Sequence, residues 1–532
     1  MFKKNSEFTP YAPVIIAGAI IVGLLMGRFM FTQSSGTSKA LAGKKISSLL
    51  QIIENNYVDK VAVDSLIESS IPLILSNLDP HSVYIPLSEL QATQEPLQGS
   101  FDGIGVQFNM QNDTALIISV IRGGPSEKVG LLPGDRIVKI NDSVYVGKKI
   151  KSDDIIKHLK GKKGTKVTIS IARRGTKNLL NFEIERGKIP IYSVDVAYMV
   201  TSEIGYVKIS RFAQTTHDEF VKAIDTLKLR GMKKLIVDLR GNSGGFLNEA
   251  TEIADEFLPT DKLIVYTKGQ ARARTDYYAT DNDLCLNEPV SILVDTWSAS
   301  ASEILAGAIQ DNDRGLIIGR RTFGKGLVQE PVYFHDGSLV RLTIARYYTP
   351  TGRSIQKPYS HNTDDYSHEI MGRMKNGEFT SDKNIHFNDS LKFTTPKGKV
   401  VYGGGGIMPD IFVPVDTIGN SDFFDKISEA GLIYRFSLEY ADKNRKALVK
   451  LRSETDIIRY LNAQQIVNQF ISFAAENNMV PNGTDLQVSG KLIENQLHAL
   501  IARNVFDNEY FYKIIQKWDN VLLKAISEME AK

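Results

Sequence analysis

The stretch Val290-Ser291-Ile292-Leu293-Val294-Asp295-Thr296-Trp297-Ser298-Ala299-Ser300-Ala301-Ser302-Glu303 decides how this chain is read. Its first half is an apolar run with the length and composition of a buried strand, and its second half opens a helix expected over about 300–311. At such a strand-to-helix turn the first helical N–H groups are free, so a serine displayed there sits beside a natural site for an anion. Taken alone, the segment is equally an ordinary Ser/Ala-rich helix cap. The pattern around it repeats, with strands at 205–209 and 234–239 and helices at 217–229 and 247–257. Alternation of this kind from about 190 to 350 predicts an α/β fold.

Residues 99–187 have a different texture. Gly103-Ile104-Gly105-Val106-Gln107-Phe108 is a glycine-led strand start, 115–120 and 166–173 alternate as strands, Gly134-Asp135 turns into another strand, and 126–129 and 153–159 suit short helices. This is one compact β-rich module. Before it, 32–43 reads as a linker and 44–57 and 63–78 as helices. After the core, 357–400 is polar with little periodicity and reads as a long surface insertion, and helical patterns follow near 421–442, 462–476 and 490–529.

Composition narrows the function. With 532 residues, 42% hydrophobic and 23% charged, the chain is a globular protein of about three or four domains. Lys plus Arg is 64 against 61 for Asp plus Glu, a net charge of +3, which speaks against a nucleic-acid binder. The single cysteine, Cys285, excludes an intrachain disulfide and a cysteine-rich metal site, and its leucine neighbours predict burial. Residues 8–27 carry no formal charge and are long enough to span a bilayer as a helix. An uncleaved anchor is preferred to a signal peptide, because the small-residue site Ala40-Leu41-Ala42 lies far beyond the apolar run.

Two more segments carry chemistry-bearing residues. In Thr322-Phe323-Gly324-Lys325-Gly326-Leu327-Val328-Gln329 a lysine stands between two glycines, either as a solvated turn charge or as a base whose pKa must fall from about 10.4. In Val237-Asp238-Leu239-Arg240-Gly241-Asn242-Ser243-Gly244-Gly245 a strand runs into a glycine turn whose N–H groups can meet an oxyanion. Neither a dinucleotide fingerprint nor a Walker loop is present, and no His-Glu-x-x-His supports a zinc peptidase. His81 reads as a turn or packing residue, His335 as part of a hairpin turn, Trp297 as packing, and Glu303 and Asp238 as structural carboxylates.

These segments together closely resemble the C-terminal processing peptidases, or tail-specific proteases, of the S41 serine peptidase family. The resemblance covers roughly 44–356 and 403–415. It rests on Leu-Asp-Pro-His-Ser at 78–82, Asp-Leu-Arg-Gly-Asn-Ser-Gly-Gly at 238–245, Ser-Ala-Ser-Ala-Ser-Glu at 298–303, Thr-Phe-Gly-Lys-Gly at 322–326, Thr-Pro-Thr-Gly-Arg-Ser-Ile-Gln at 349–356 and Gly-Ile-Met-Pro-Asp at 406–410. It implies Ser300 as nucleophile, Lys325 as general base and Gln329 as the lysine's support. The implied oxyanion donors are the N–H groups of Ala301 and of Gly244 or Gly245. It further implies that 99–187 is a PDZ domain whose Gly103-Ile104-Gly105-Val106 loop captures a peptide C-terminus.

The expected architecture is therefore a multidomain α+β and α/β chain. It comprises a cytoplasmic stub and transmembrane anchor (1–31), a linker and helical segment (32–98), the PDZ domain (99–187), a peptidase core (188–417, with the insertion 357–405) and a C-terminal helical extension (418–532). The expected function is a serine endopeptidase anchored in the inner membrane, with its catalytic domain periplasmic, that cleaves near the C-termini of extracytoplasmic proteins or acts on unfolded ones, the PDZ domain recognising the tail or gating the site. Expected partners are substrates with free C-terminal tails, the membrane, and an adaptor or a second copy of the chain. No metal or cofactor is implied. The competing reading is a PDZ scaffold whose protease domain is inactive or latent.

Overall fold

A computed structural model describes residues 37–531, apart from 112, 122, 148–149, 360–362 and 418. The expected anchor at 8–27 lies outside the described residues, among which no helix is long and apolar enough to cross a membrane. The chain divides after Asn77. On the N-terminal side are two helices, Thr37–Asn56 and Val63–Leu75. The first starts inside the stretch read as a linker, where Lys39, Ala40, Leu41 and Ala42 are good helix formers and outweigh the single Gly43.

Beyond Leu78, the β-rich module is a sheet of Val106–Gln111, Thr114–Val120, Arg136–Ile140, Lys166–Ala172 and Leu180–Glu185, flanked by the helices Pro125–Lys128 and Ser152–Leu159. Its core gathers Ile117, Ile137, Ile155, Ile169 and Ile184. A short ladder, Ser100–Gly103 against Gly187–Pro190, closes the module where the chain enters and leaves it.

The core sheet runs Val194–Met199, Ile204–Ile209, Lys234–Asp238, Val290–Val294, Leu316–Gly319, Ile411–Phe412. The first pair is antiparallel and the rest are parallel. Val290–Val294 is apolar at nearly every position because both faces of the sheet are covered. On one face, Val237, Ile292 and Ile317 pack with residues of the helices Thr216–Leu229, Leu247–Asp255 and Ala301–Asp311. On the other, Ile236, Leu293 and Ile318 meet Val521, Leu522, Ala525 and Met529 of the helix Asn520–Glu530. The end of the C-terminal extension is thus part of the core.

A second, antiparallel sheet contains Val83–Ile85, Leu339–Tyr348, Leu263–Lys268 and Thr275–Tyr278, with Leu327–Tyr333 also paired to Leu339–Tyr348. His335 lies on the hairpin between those last two strands, as its Asp336-Gly337 sequel implied.

Two expectations need correction. The insertion after Gln356 is not merely a surface loop. It contains the helix Thr363–Lys375 and the hairpin Lys392–Thr394/Val400–Tyr402, and it buries Lys357, Tyr366, Ile370 and Arg373. The pattern at 490–529 is three helices, Asp485–Val505, Asn508–Ile515 and Asn520–Glu530, not one. The first two join the helices between Asp422 and Glu476 around a core of their own that includes Ile433, Phe436, Phe470 and Leu497.

Candidate active site

Ser300 caps the helix Ala301–Asp311 directly after the loop that leaves Val290–Val294. Its backbone is held at φ 56°, a left-handed conformation costly for a residue with a Cβ. That geometry turns the serine out of the sheet and into a cavity of about 690 Å³. Lys325, Gln329, Ala301, Gly244 and Gly245 line the same cavity, so elements far apart in sequence converge there.

Glu303 holds the two halves of the site together. Its carboxylate is fully buried and accepts four hydrogen bonds. Thr322 Oγ1 and Gly324 N–H donate to Oε1 at 2.5 and 2.7 Å, and Ser300 N–H and Lys325 N–H donate to Oε2 at 2.8 and 2.9 Å. Burial pushes this carboxyl up to about 7 against the pull of those bonds. The buried Tyr347 bridges the same two residues from the other side, its hydroxyl lying 3.0 Å from Ser300 O and 2.5 Å from Lys325 O.

Lys325 itself is partly buried. Burial first, and the neighbouring Arg341 second, bring its pKa down to about 8, while Glu303 and Asp79 pull the other way. Among the described residues no hydrogen bond joins Lys325 Nζ to Ser300 Oγ or to Gln329. The Gln329 amide donates instead to Thr343 Oγ1 (3.2 Å), which donates to Asp79 Oδ1 (3.0 Å). Asp79 also accepts from the N–H groups of His81 and Ser82 and from Ser82 Oγ. The 78–82 motif therefore braces the strand that carries Thr343, a link between distant segments that no local pattern announces.

The glycine turn lies against the serine. A Cβ on Gly244 would sit 2.8 Å from both Ala299 O and Ser300 Cβ, and one on Gly245 would sit 2.0 Å from Phe212 O, so neither position admits a side chain. Their N–H groups differ. Gly244 N–H donates to Asn242 Oδ1 at 2.8 Å. Gly245 is exposed, and among the described residues neither its N–H nor that of Ala301 has an acceptor.

His81 is a turn residue packed edge-on against Tyr366, as read, and it also lines the cavity. Its Nε2 meets Tyr366 OH at 2.9 Å, and burial, then Lys325, lower its pKa to about 4. Trp297, read as packing, is instead 58% exposed and stands at the cavity. Asp238 is structural, as expected. Despite burial, Arg240 and Lys208 hold its carboxyl well below the usual range, and Arg240 also pairs with Asp519. Cys285 is buried and its thiol is pushed up to about 12.

The loop 322–326 is fastened from the insertion. Arg373 donates to the carbonyls of Thr322 (2.7 Å) and Phe323 (3.1 Å), and Lys357 N–H donates to Gly324 O at 2.9 Å. Lys357 Nζ lies over the rings of Phe323 and Tyr366, at 4.0 and 4.1 Å, and pairs with Glu369. In the β-rich module, Ser126 N–H and Oγ both donate to Ile104 O, and Gly105 takes φ 77° before the strand starting at Val106. Among the described residues the N–H groups of Ile104 and Gly105 have no acceptor, while Gly103 is in the ladder with Gly187.

Residues 203–365 match the family model for peptidase family S41, 103–184 that for the PDZ domain, and 423–507 a family of unknown function (DUF8443). The chain is 35% identical over 329 residues to the carboxy-terminal processing protease CtpB of Bacillus subtilis (strain 168), covering 61% of this chain and 68% of that protein. It is 32% identical over 344 residues to CtpA of the same organism, covering 64% and 73%. A solved photosystem II D1 C-terminal processing protease is 24% identical at a TM-score of 0.34, covering 69% of this chain and 91% of that one, a likeness too slight to bear on function.

Proposed function

The chain belongs to peptidase family S41, among the carboxy-terminal processing proteases, and is a serine-type hydrolase with a PDZ domain; from that premise we propose that Ser300 and Lys325 are its nucleophile and general base. The observation that carries this reading is the double bridge between them: one Glu303 oxygen takes both backbone N–H groups, and Tyr347 lies against both carbonyls. A lysine with a pKa near 8 is substantially neutral at mildly alkaline pH, as a base must be.

In the proposed reaction, neutral Lys325 takes the Ser300 hydroxyl proton as Oγ attacks a peptide carbonyl. The carbonyl oxygen gains the negative charge and is held by the N–H groups of Ala301 and Gly245; the Gly244 N–H is already engaged by Asn242. Collapse breaks the C–N bond, and the lysine ammonium gives its proton to the leaving amine. Water, deprotonated by the same lysine, then hydrolyses the acyl-enzyme ester. Gln329 acts through Thr343 and Asp79, keeping the wall beside the lysine in register.

The substrates in this reading are protein tails. The unengaged N–H groups of Ile104 and Gly105 suit a terminal carboxylate, with the tail adding as a strand beside Val106. The uncharged run at 8–27 is the basis for a membrane-anchored, extracytoplasmic enzyme, which fractionation and protease accessibility of intact cells would check. The deciding experiment is cleavage of an unfolded protein by the full chain beside Ser300→Ala and Lys325→Ala. Turnover by the parent and by neither variant supports the dyad. Turnover surviving in both variants refutes it.

A further inference from the structure

The cavity that holds Ser300 has no acidic residue among its described lining, and its two cations are Lys325 and Arg341. Lys325 has to be neutral to act as the base. A guanidinium stays charged, so Arg341 is the cavity's standing positive charge. It sits mid-strand in Leu339–Tyr348, across from Val83 on one side and Pro331 on the other. Two residues along that strand, Thr343 holds Gln329. Arg341 thus lines the same cavity as Ser300 and Lys325.

Arg341 is partly buried, and its side chain makes no hydrogen bond or ion pair with any described residue. Carboxylates in this part of the molecule make their bonds elsewhere. Asp79 accepts from His81, Ser82 and Thr343, Glu303 from four donors, and Glu330 pairs with Arg272. Other polar lining groups are engaged as well: His81 with Tyr366, Gln329 with Thr343 and Gln94 with Tyr333. A guanidinium drawn partly out of water among Leu339, Pro331 and Tyr333 without a counter-ion is unfavourable by itself, and a carboxylate arriving with a ligand offsets that penalty.

We infer that Arg341 anchors a carboxylate of the substrate inside the catalytic cavity, either a free C-terminus not held by the Ile104–Gly105 loop or an Asp or Glu side chain close to the scissile bond. The inference rests on the proteolytic reading above and adds a specificity determinant to it. The bland alternative is that Arg341 only tunes Lys325. That alternative predicts the same effect on every peptide, because the base is common to all of them.

The test uses the full chain and a set of otherwise identical apolar peptides: one with a free C-terminal carboxylate, its C-terminal amide, an amide carrying one internal Glu, and the same peptide with Gln. In the parent, kcat/KM favours a carboxylate-bearing peptide over its neutral twin by roughly ten- to a hundredfold. In Arg341→Gln the ratio collapses towards one, and Arg341→Lys is intermediate. The pair that responds identifies the source of the carboxylate. A ratio of one in the parent, or a ratio untouched by Arg341→Gln, overturns the anchor; in the second case the terminus is read elsewhere.

If Arg341→Gln does not fold, Arg341→Lys carries the same comparison. Kd values measured in a Ser300→Ala background give the ratio without turnover. A parent that cleaves both members of each pair equally sinks the anchor and leaves the protease. A parent that cleaves none, while Ser300→Ala binds carboxylate peptides in an Arg341-dependent way, sinks the protease and leaves the anchor.

Discussion

Ser300 and Lys325 donate their backbone N–H groups to the same oxygen of Glu303, at 2.8 and 2.9 Å. The helix start that carries Ser300 and the loop that carries Lys325 thereby share one acceptor, and in the proposed dyad the spacing of the pair is set by a residue that need not touch substrate. Glu303→Gln keeps an acceptor on one side but turns an NH₂ group towards donors on the other, leaving Thr322 Oγ1 and Gly324 N–H or their counterparts unpaired. The expected result is a fall in kcat of about ten- to a hundredfold with KM little changed, and a loss of about 1–3 kcal/mol of stability. Steady-state kinetics and denaturant titration of the variant check both; an unchanged kcat would show that Glu303 is dispensable for positioning.

The pH dependence follows from Lys325. Its pKa is lowered to about 8 by burial and by Arg341, opposed by Glu303 and Asp79. The base works when neutral, so activity should rise with pH through about 8 and level off above it. Removing Arg341 withdraws a positive neighbour, stabilises the lysine ammonium and moves the rising limb to higher pH. His81, already neutral above about 4, should leave the midpoint in place when changed to Gln. A pH–kcat profile of the parent and both variants decides; a midpoint that follows His81 would make the histidine the base.

Legibility in the sequence tracked how local each signal was. Val290–Val294 and the helix start at Ala301 are set by neighbouring residues and follow from periodicity, whereas Ser300 within that segment is singled out only by the family resemblance. The two glycines around Lys325 leave a solvated turn charge and a base equally open, and the resemblance alone points to the base. The bridge through Tyr347 and the Gln329–Thr343–Asp79 chain join residues far apart in sequence, and no window of local pattern contains them. The insertion helix did carry a signal that went unread: Tyr366, Ile370 and Arg373 recur at helical spacing, and all three are buried. In the C-terminal extension, continuous apolar periodicity masked the breaks, although Asp507 and Asp519 mark them by capping the next helices.

The glycine turn gives a sharp steric prediction. An added methyl at Gly244 meets Ala299 O and Ser300 Cβ at 2.8 Å, so Gly244→Ala must displace Ser300, the proposed nucleophile. A shift of this size at a reacting atom is expected to reduce kcat by about a hundredfold. Ser243→Ala, at an exposed neighbouring position, serves as the control and should keep most activity. Labelling of Ser300 by an organophosphate reports displacement apart from folding, and labelling of Gly244→Ala at the parental rate would argue against it.

The insertion should matter to catalysis although it lies outside the matched motifs, between those at 349–356 and 406–410. Arg373 ties the carbonyls of Thr322 and Phe323, immediately before the glycine–lysine–glycine turn. It is itself held by Glu369, which also pairs with Lys357. Arg373→Ala leaves two carbonyls without their donor and leaves Glu369 with less positive charge around it, so the loop that carries Lys325 loses its outer fastening. A drop in kcat of about tenfold is expected, together with a loss of about 2 kcal/mol or more, since a buried partner of a charged pair has been removed. Binding of a tail peptide to the PDZ module should not change, because the insertion contributes nothing to the loop around Ile104 and Gly105. Tyr366→Phe, which keeps the ring over Lys357 and removes the hydroxyl from His81, should have the smaller effect. Equal kcat values in the parent and Arg373→Ala would mean that the base's loop is fixed by Glu303 and Tyr347 alone.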